Sequence, residues 1–124
     1  MSLYATPAES REAGVAYHLL AAEVWEHARS GGTYTPDRFA EDGFIHCTNG
    51  LEELVAVANR YYRDDARPYV ALALDLTRVT SPVRYDDPDQ IYPHIYGSLN
   101  LSAVIDVLRA ERSPDGTFLA FHRA

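Results

Sequence analysis

Three histidines stand in apolar and aromatic segments of the chain, and they are the residues best suited to chemistry. His18 lies within residues 16–20, His46 within residues 42–48 and His94 within residues 92–97. Imidazole titrates near neutral pH, exchanges protons and ligates metal ions. A buried histidine without a partner costs about 1–3 kcal/mol, so a single one is usually a satisfied part of a core. Three on separate apolar segments predict instead that at least two of them share a ligand pocket.

One chemistry open to three imidazoles is metal binding, as in a metal-dependent hydrolase. A zinc-like ion would need His18, His46 and His94 to converge at roughly 2.0–2.1 Å from it. The sequence contains no His-x-His, His-Glu-x-x-His or Cys-x-x-Cys motif, so local ligand spacing is missing. The motif evidence for a metal is therefore weak, and we assign no metal ligand.

The single cysteine, Cys47, opens a second possibility, a cysteine hydrolase. Such an enzyme needs a thiolate of lowered pKa, and Cys47 lies just before a predicted helix start, where the helix dipole favours an anion. Consecutive side chains on a strand point to opposite faces, so Cys47 and His46 are not expected to act together. The sequence favours the alternative, in which Cys47 is a small residue packed in the core.

Polar and aromatic residues near the histidine segments are candidate ligand contacts. Tyr17, Tyr34 and Tyr96 combine a ring that stacks on planar groups with a hydroxyl that bonds a sugar or phosphate. Tyrosine is also a common half-buried strand residue, which is the alternative reading. Arg84 and the acidic run at residues 86–89 could contact a ligand as well, although a solvated turn is the more ordinary account.

Composition and charge limit the class of protein. The chain has 124 residues, 47% of them hydrophobic, which is enough for one domain with a core of its own. The formal net charge is −7, from 18 acidic and 11 basic side chains. This acidity disfavours a nucleic-acid partner, because such binding depends on basic side chains. With one cysteine, no signal-peptide pattern and no apolar stretch of roughly 20 residues, we expect a cytoplasmic protein without a membrane partner.

Periodicity places the candidate residues on a few elements. Residues 15–20 and 68–75 are predicted to be strands, and the second is apolar on both alternating faces, which is typical of an interior strand. Apolar stripes predict two amphipathic helices, one over residues 21–28 and one after Asn49. Thr48 or Asn49 is predicted to cap the second helix, and Asn49 and Glu52 have the spacing of a capping box.

The later part of the chain is predicted to be rich in strands. Further strands are expected at residues 44–47, 83–85, 91–97, 104–108 and 117–121. The last two form a hairpin, and residues 33–41 form an ordered loop with a short helical turn at residues 36–39. The pattern predicts one α+β domain over residues 15–124, with a twisted mixed or antiparallel sheet and two amphipathic helices. Residues 1–14 are expected to be a loosely ordered lead-in.

Three motifs carry a resemblance to a known family. They are Tyr-His-Leu at residues 17–19 followed by Trp25, Gly-Phe-Ile-His at residues 43–46 and Pro-His-Ile-Tyr-Gly at residues 93–97. Together they resemble the signature of a bacterial domain family of unknown function, family 952. The likeness covers the chain from about residue 17 to residue 108.

The resemblance implies an α+β fold similar to that of ADP-ribosyltransferases, a superfamily that includes the RNA 2′-phosphotransferases. In those enzymes an Arg or His on the first strand holds NAD, and a residue on a following strand frames the nicotinamide end. His18 and His46 occupy comparable positions. Many members also need a glutamate on a late strand, which has no obvious match here, since Glu111 lies past the apolar part of its strand. Phosphotransferase-like members use arginines instead, of which Arg38 and Arg84 are near the expected pocket.

We therefore expect a pocket that binds NAD or a related nucleotide, in an ADP-ribosyltransferase-like domain. The expected ligand contacts are His94, Tyr96, Tyr34, Tyr17 and Arg84. His18 and His94 would contact ribose or phosphate, and Tyr34 and Tyr96 would cover a ring. If chemistry occurs, the catalytic residues would be His46, which exchanges protons, and His18. Two alternatives remain open: a non-enzymatic module that binds a small metabolite, and a metal-dependent hydrolase that uses His18, His46 and His94.

Overall fold

The structure is a computed structural model that describes residues 14–123. Its helices and strands follow the chain in the order β1 Val15–Ala21, α1 Ala22–Ala28, β2 Thr33–Tyr34, α2 Phe39–Asp42, β3 Ile45–His46, α3 Leu51–Tyr61, β4 Tyr69–Asp75, β5 Val83–Tyr85, β6 Pro93–Ile95, β7 Leu99–Asn100, β8 Val104–Arg112 and β9 Phe118–Arg123. Short 3₁₀ turns at Leu76–Arg78 and Leu101–Ala103 precede β5 and β8. The expected lead-in at residues 1–14 lies outside the described residues except for Gly14.

A four-stranded antiparallel sheet, the main sheet, has the strand order β1-β4-β8-β9. The interior position predicted for residues 68–75 is confirmed, because β4 pairs with β1 on one side and with β8 on the other. Its alternating residues are buried on both faces since each face is covered by a separate apolar cluster. The predicted hairpin is confirmed as β8 and β9, and both strands run further than their apolar residues indicate. The α+β class with antiparallel pairing is therefore confirmed.

The two faces of the main sheet have different covers. On one face, Ala71 and Phe118 are buried in a cluster with Leu54 and Ala58 of α3. The opposite face buries Leu72 and joins the residues of two smaller sheets. Those sheets are the pair β2-β7 and a three-stranded antiparallel sheet with the order β3-β6-β5. The site described below is built where the three-stranded sheet meets the main sheet.

The capping role predicted for Thr48 or Asn49 is wrong. Gly50 stands at the N-cap of α3 with a φ of 86°, and no side chain caps the helix. The Asn49 side chain is buried, where its amide donates to the carbonyl of Val15 at 2.7 Å and its oxygen accepts from the Tyr85 hydroxyl at 2.6 Å. A buried amide needs partners for both groups, and the β1 backbone and β5 supply them here. Asn49 therefore joins two sheets rather than starting a helix.

The segment between α1 and β3 is more regular than the predicted loop. Residues 33 and 34 form β2, which pairs with β7. The turn at residues 36–39 is closed by the Phe39 amide donating to the Pro36 carbonyl, and α2 then continues to Asp42. Gly43 ends this helix with a φ of 79°, a left-handed conformation that glycine adopts without strain. The short helix therefore lies directly before β3 and places Asp42 at the site.

Within residues 14–123, no helix has the length and apolar character that crossing a bilayer requires.

Candidate functional site

His18 is held between the main sheet and the three-stranded sheet. It lies on β1 opposite Leu72 of β4, on the face that the smaller sheets cover, and only 7% of it is exposed. Reciprocal backbone hydrogen bonds between Tyr17 and Thr48, at 2.8 and 2.9 Å, hold β1 beside the end of β3. As a result, His18 Nδ1 lies 2.7 Å from the carbonyl oxygen of His46.

This contact fixes the tautomer of His18. A carbonyl oxygen only accepts, so Nδ1 carries the hydrogen and Nε2 keeps a lone pair. Nε2 is buried and has no hydrogen-bond partner among the described residues. Burial lowers the pKa of His18 from 6.5 to about 4, against the opposing effect of its bond to the His46 carbonyl. His18 is therefore a neutral hydrogen-bond acceptor at neutral pH.

His18 lines a cavity of about 600 Å³, which we call the larger cavity. Its walls come from β1, the segment of β2 and α2, β3 and the end of α3. The side chains that matter most for binding are Tyr17, His18, Tyr34, Phe44, His46 and Tyr62. The volume falls in the range of about 300–1,000 Å³ that is typical of small-molecule sites.

The Tyr34 ring lies beside His18 in this cavity. The two ring centroids are 5.7 Å apart with the planes tilted by 52°. Burial, followed by the nearby charge of Asp37 and the hydroxyl of Tyr62, raises the pKa of Tyr34 to about 12. Its hydroxyl is therefore a neutral donor and acceptor at any physiological pH.

His46 lies on β3 at the rim of the larger cavity, with 63% of its side chain exposed. Its Nε2 lies 3.1 Å from Oδ2 of Asp42, the last residue of α2, and donates to that carboxylate. The spacing of four residues between the two spans the turn at Gly43. An imidazole held by a carboxylate through one nitrogen presents the other as a proton acceptor, as general-base catalysis requires.

His94 forms a second aspartate–histidine pair. It lies opposite His46 in the register of β3 and β6, and the two ring centroids are 5.5 Å apart. Its Nδ1 donates to Oδ2 of Asp86 at 3.0 Å, and the Tyr96 hydroxyl donates to the same oxygen. The bonds from Tyr96 and His94, with the charge of Arg84, lower the pKa of Asp86. Asp86 therefore remains ionised and orients His94.

Phe44 connects the two pairs. Its ring stacks on His94 with centroids 3.8 Å apart and planes within 3°, and it meets His46 edge-on at 4.6 Å. Phe44 faces the larger cavity, whereas His94 lines a second cavity of about 420 Å³, which we call the smaller cavity. His46 lines both cavities. The structure therefore brings His18 and His46 to one cavity and His46 and His94 to another, instead of placing all three in one pocket.

Of the remaining predicted site residues, two line the larger cavity and two line neither cavity. Tyr17 and Tyr34 line the larger cavity. Tyr96 and Arg84 line neither cavity. The Tyr96 hydroxyl donates to Asp86, and the Arg84 guanidinium lies 5.4 Å from the centroid of the Tyr96 ring. Among residues 14–123, no group of three histidine, cysteine or acidic side chains is placed to hold a metal ion. The metal-dependent hydrolase alternative therefore has no ligand set in this part of the chain.

Sequence reasoning missed the residues that orient the histidines. Asp42 and Asp86 orient His46 and His94 by pairing with them, and Phe44 stacks on His94 and meets the edge of His46. The spacing of four residues between Asp42 and His46 was visible in the sequence, but it indicates contact only once a short helix is known to end at Asp42. The separation of eight residues between Asp86 and His94 carries no such signal without the pairing of β5 with β6.

Cys47 does not fit the role of a nucleophile. It is 2% exposed, and burial raises the pKa of its thiol to about 12. The alternative, in which it is a packed core residue, describes its surroundings.

We expect Cys47 to react with a thiol reagent such as Ellman's reagent at least about a hundredfold more slowly in the folded protein than in urea, because the reactive species is the exposed thiolate. The chain has one cysteine, so the absorbance change reports this residue alone. Equal rates in the folded and unfolded states would contradict the buried assignment.

Comparisons with known proteins agree with the architecture. The sequence model of the family described as Protein of unknown function (DUF952) matches residues 19–107, a span that contains His46 and His94 and begins one residue after His18. No curated protein matches the chain.

Solved structures of protein CC0527 from Caulobacter crescentus, determined by a structural genomics consortium, are similar to this chain. A crystal structure has a TM-score of 0.72 at 24% identity, covering 85% of this chain and 93% of that one. A solution NMR structure of the same protein has a TM-score of 0.67 at 24% identity, covering 83% and 90%. At this identity the likeness shows a shared fold, and the family match covers well over half of the sequence. The chain therefore belongs to the family described as Protein of unknown function (DUF952).

Proposed function

We propose that this protein binds NAD or a related nucleotide in the larger cavity, as an ADP-ribosyltransferase-like domain. The observation that carries the proposal is the buried Nε2 of His18, a lone pair that no residue between 14 and 123 meets, in a tyrosine-lined cavity. An unsatisfied buried acceptor costs about 1–3 kcal/mol, and a ligand that donates a hydrogen bond would remove that cost.

The state of His18 selects the kind of ligand group that meets it. A neutral acceptor pairs with a hydroxyl or an N–H donor and gives no attraction to an anion. Of the two contacts expected for His18, ribose and phosphate, we therefore assign it the ribose hydroxyl. His94 is assigned no contact with the nucleotide, because it does not line the larger cavity.

The rest of the larger cavity supplies groups for a base or nicotinamide ring and for phosphate. Tyr34, Phe44 and Tyr62 offer ring faces and edges, and aromatic surfaces of this kind stack on planar ligands. Arg38 is the candidate for the phosphates. It lines the cavity, its side chain is 73% exposed, and its ion pairs with Glu41 and Asp42 are loose, both at 3.6 Å. A guanidinium held this loosely is available to a phosphate oxygen.

Turnover would depend on His46 and Asp42. The Asp42 carboxylate orients the imidazole, and His46 would take a proton from an attacking group at the rim of the cavity. One observation favours the alternative, a module that binds a metabolite without turnover. Glu111, the late-strand glutamate, lines neither cavity, and its Oε1 accepts from His122 Nε2 at 2.6 Å on the β8–β9 hairpin.

The proposal is tested by calorimetry with NAD and with ADP-ribose. We expect saturable binding to the wild-type protein and weaker binding to His46→Ala, because His46 forms part of the cavity wall. The absence of binding by the wild type at millimolar ligand would refute the proposal.

Turnover is decided by a second measurement on the same proteins. Nicotinamide released from NAD over several hours by the wild type, and not by His46→Ala, would establish a transferase or glycohydrolase. Binding without release would establish the non-enzymatic module instead.

A further inference from the structure

The smaller cavity adjoins the larger one through a shared wall. His46, Thr48, Val57 and Tyr61 line both. A ligand in the smaller cavity would therefore share the His46 wall with the nucleotide. Two cavities that share a wall containing His46 form the arrangement that a two-ligand site needs. The lining of the smaller cavity indicates the chemistry of its ligand.

One wall of the smaller cavity carries two carboxylates. Asp86 is kept ionised by the donors described above. Asp87 accepts the backbone N–H groups of Ile91 at 2.7 Å and Tyr92 at 3.1 Å, one on each oxygen. A carboxylate has about four lone-pair sites, and within residues 14–123 Asp87 forms no ion pair. Asp87 lines the cavity, and its remaining lone pairs are therefore available to a donor on a ligand there.

The other walls suit an aliphatic stem and a cationic head. Ala56 and Val57 of α3 give an apolar surface, and the rings of Tyr61 and Tyr92 flank it with 65% and 38% exposure. A cation already lies over one of these rings, since the Arg60 guanidinium is 5.4 Å from the Tyr61 centroid. Aromatic faces attract cations in this geometry. Arg60 is the only arginine or lysine on the described wall, so a phosphate would find one partner opposed by two carboxylates.

We propose that the smaller cavity binds a cationic group on an aliphatic stem, an amine or a guanidinium, through Asp87 and the two tyrosine rings. Its location against His46 makes it the position for a second ligand beside the nucleotide, and only that pairing rests on the proposed function. A guanidinium or amine would place its nitrogen between the Asp87 carboxylate and His46, and its methylenes on Ala56 and Val57.

Agmatine, which has a guanidinium and an amine on a four-carbon stem, tests this site without any nucleotide. We expect its titration, followed by heteronuclear NMR, to saturate and to shift the amide signals of Thr48, Asp87 and Tyr92. Asp87→Asn should weaken binding about tenfold, since a charge-assisted bond is lost. Asp89→Asn removes the same charge two residues away, outside both cavities, and should leave the affinity unchanged.

Three results would overturn the inference. They are an absence of saturation by agmatine at 20 mM, an equal loss in the two aspartate variants, and saturable binding of inorganic phosphate in its place. If Asp87→Asn disturbs the turn that Asp87 holds, Tyr61→Leu is the variant that tests the site, because the Tyr61 ring is largely exposed. It should weaken agmatine binding roughly threefold to fivefold, and an unchanged affinity would count against the site. Because the agmatine titration contains no nucleotide, its result holds even if the protein does not bind NAD.

Discussion

Replacing His18 with asparagine is expected to weaken NAD binding about tenfold to a hundredfold while the protein remains folded. The asparagine amide can still donate to the carbonyl of His46, which is the structural role of Nδ1. It has no acceptor at the position of Nε2, so the ligand donor proposed to meet that atom is left unpaired in a buried site. Such a loss costs about 1–3 kcal/mol, and 1.4 kcal/mol is a factor of ten in Kd. Calorimetry on the two proteins measures the change.

A matched substitution separates this effect from a general loss of affinity. His122→Asn changes the same residue type on β9, where His122 is exposed and pairs with Glu111 outside both cavities. Its Kd for NAD should equal that of the wild type. Unchanged NAD binding by a folded His18→Asn protein would show that Nε2 does not receive the ligand.

The free energy of unfolding should lose about 3 kcal/mol from His18 alone between pH 7 and pH 4. In the unfolded chain this imidazole has its ordinary pKa of 6.5, and burial lowers the pKa to about 4 in the folded protein. The unfolded state therefore binds an extra proton between these two values. The stability associated with the neutral ring is complete above pH 6.5 and is lost as the pH falls toward 4. A difference of about 2.5 pKa units, at 1.36 kcal/mol each, gives the expected size.

Urea unfolding of the wild type and His18→Asn at pH 7 and pH 4 isolates the contribution of this residue. The two proteins share every titrating group except His18. The pH dependence from the shared groups therefore cancels in the difference between the two free energies of unfolding. That difference should shrink by about 3 kcal/mol at the lower pH. Parallel stability profiles for the two proteins would mean that His18 titrates as it does in water.

The sequence predicted the elements whose burial pattern is simple. β4 was recognisable because residues 69–75 are apolar on both faces, and the strand lies between two neighbours. The helix over residues 51–61 follows from its apolar stripe, whose Leu54 and Ala58 face the sheet. β2 could not be predicted, since two residues carry no period and the pairing with β7 depends on a segment 65 residues away. Asn49 was misassigned because local spacing gave no sign of the buried partners that its side chain meets.

The candidate site was predictable only as a set of residue types. Histidines in apolar segments indicated a pocket, and the structure places His46 between two cavities that no local pattern distinguishes. The difference between His18, which is buried and neutral, and His46, which is exposed and paired with Asp42, comes from the packing of the two sheets. The sequence assigned ligand contact to His18 and proton exchange to His46, but it gave no sign of how differently the two rings are buried.

The hydrogen bond from His18 to the carbonyl of His46 spans the junction of the main sheet and the three-stranded sheet. A molecule that donates to Nε2 would polarise the ring and make Nδ1–H a stronger donor, because hydrogen bonds in a chain reinforce one another. A ligand in the larger cavity would then stabilise the contact between the two sheets. Because the two effects are linked, a more stable contact would raise the affinity for the ligand by the same free energy. The stability of the junction between the sheets and the affinity for the ligand would therefore increase or decrease together.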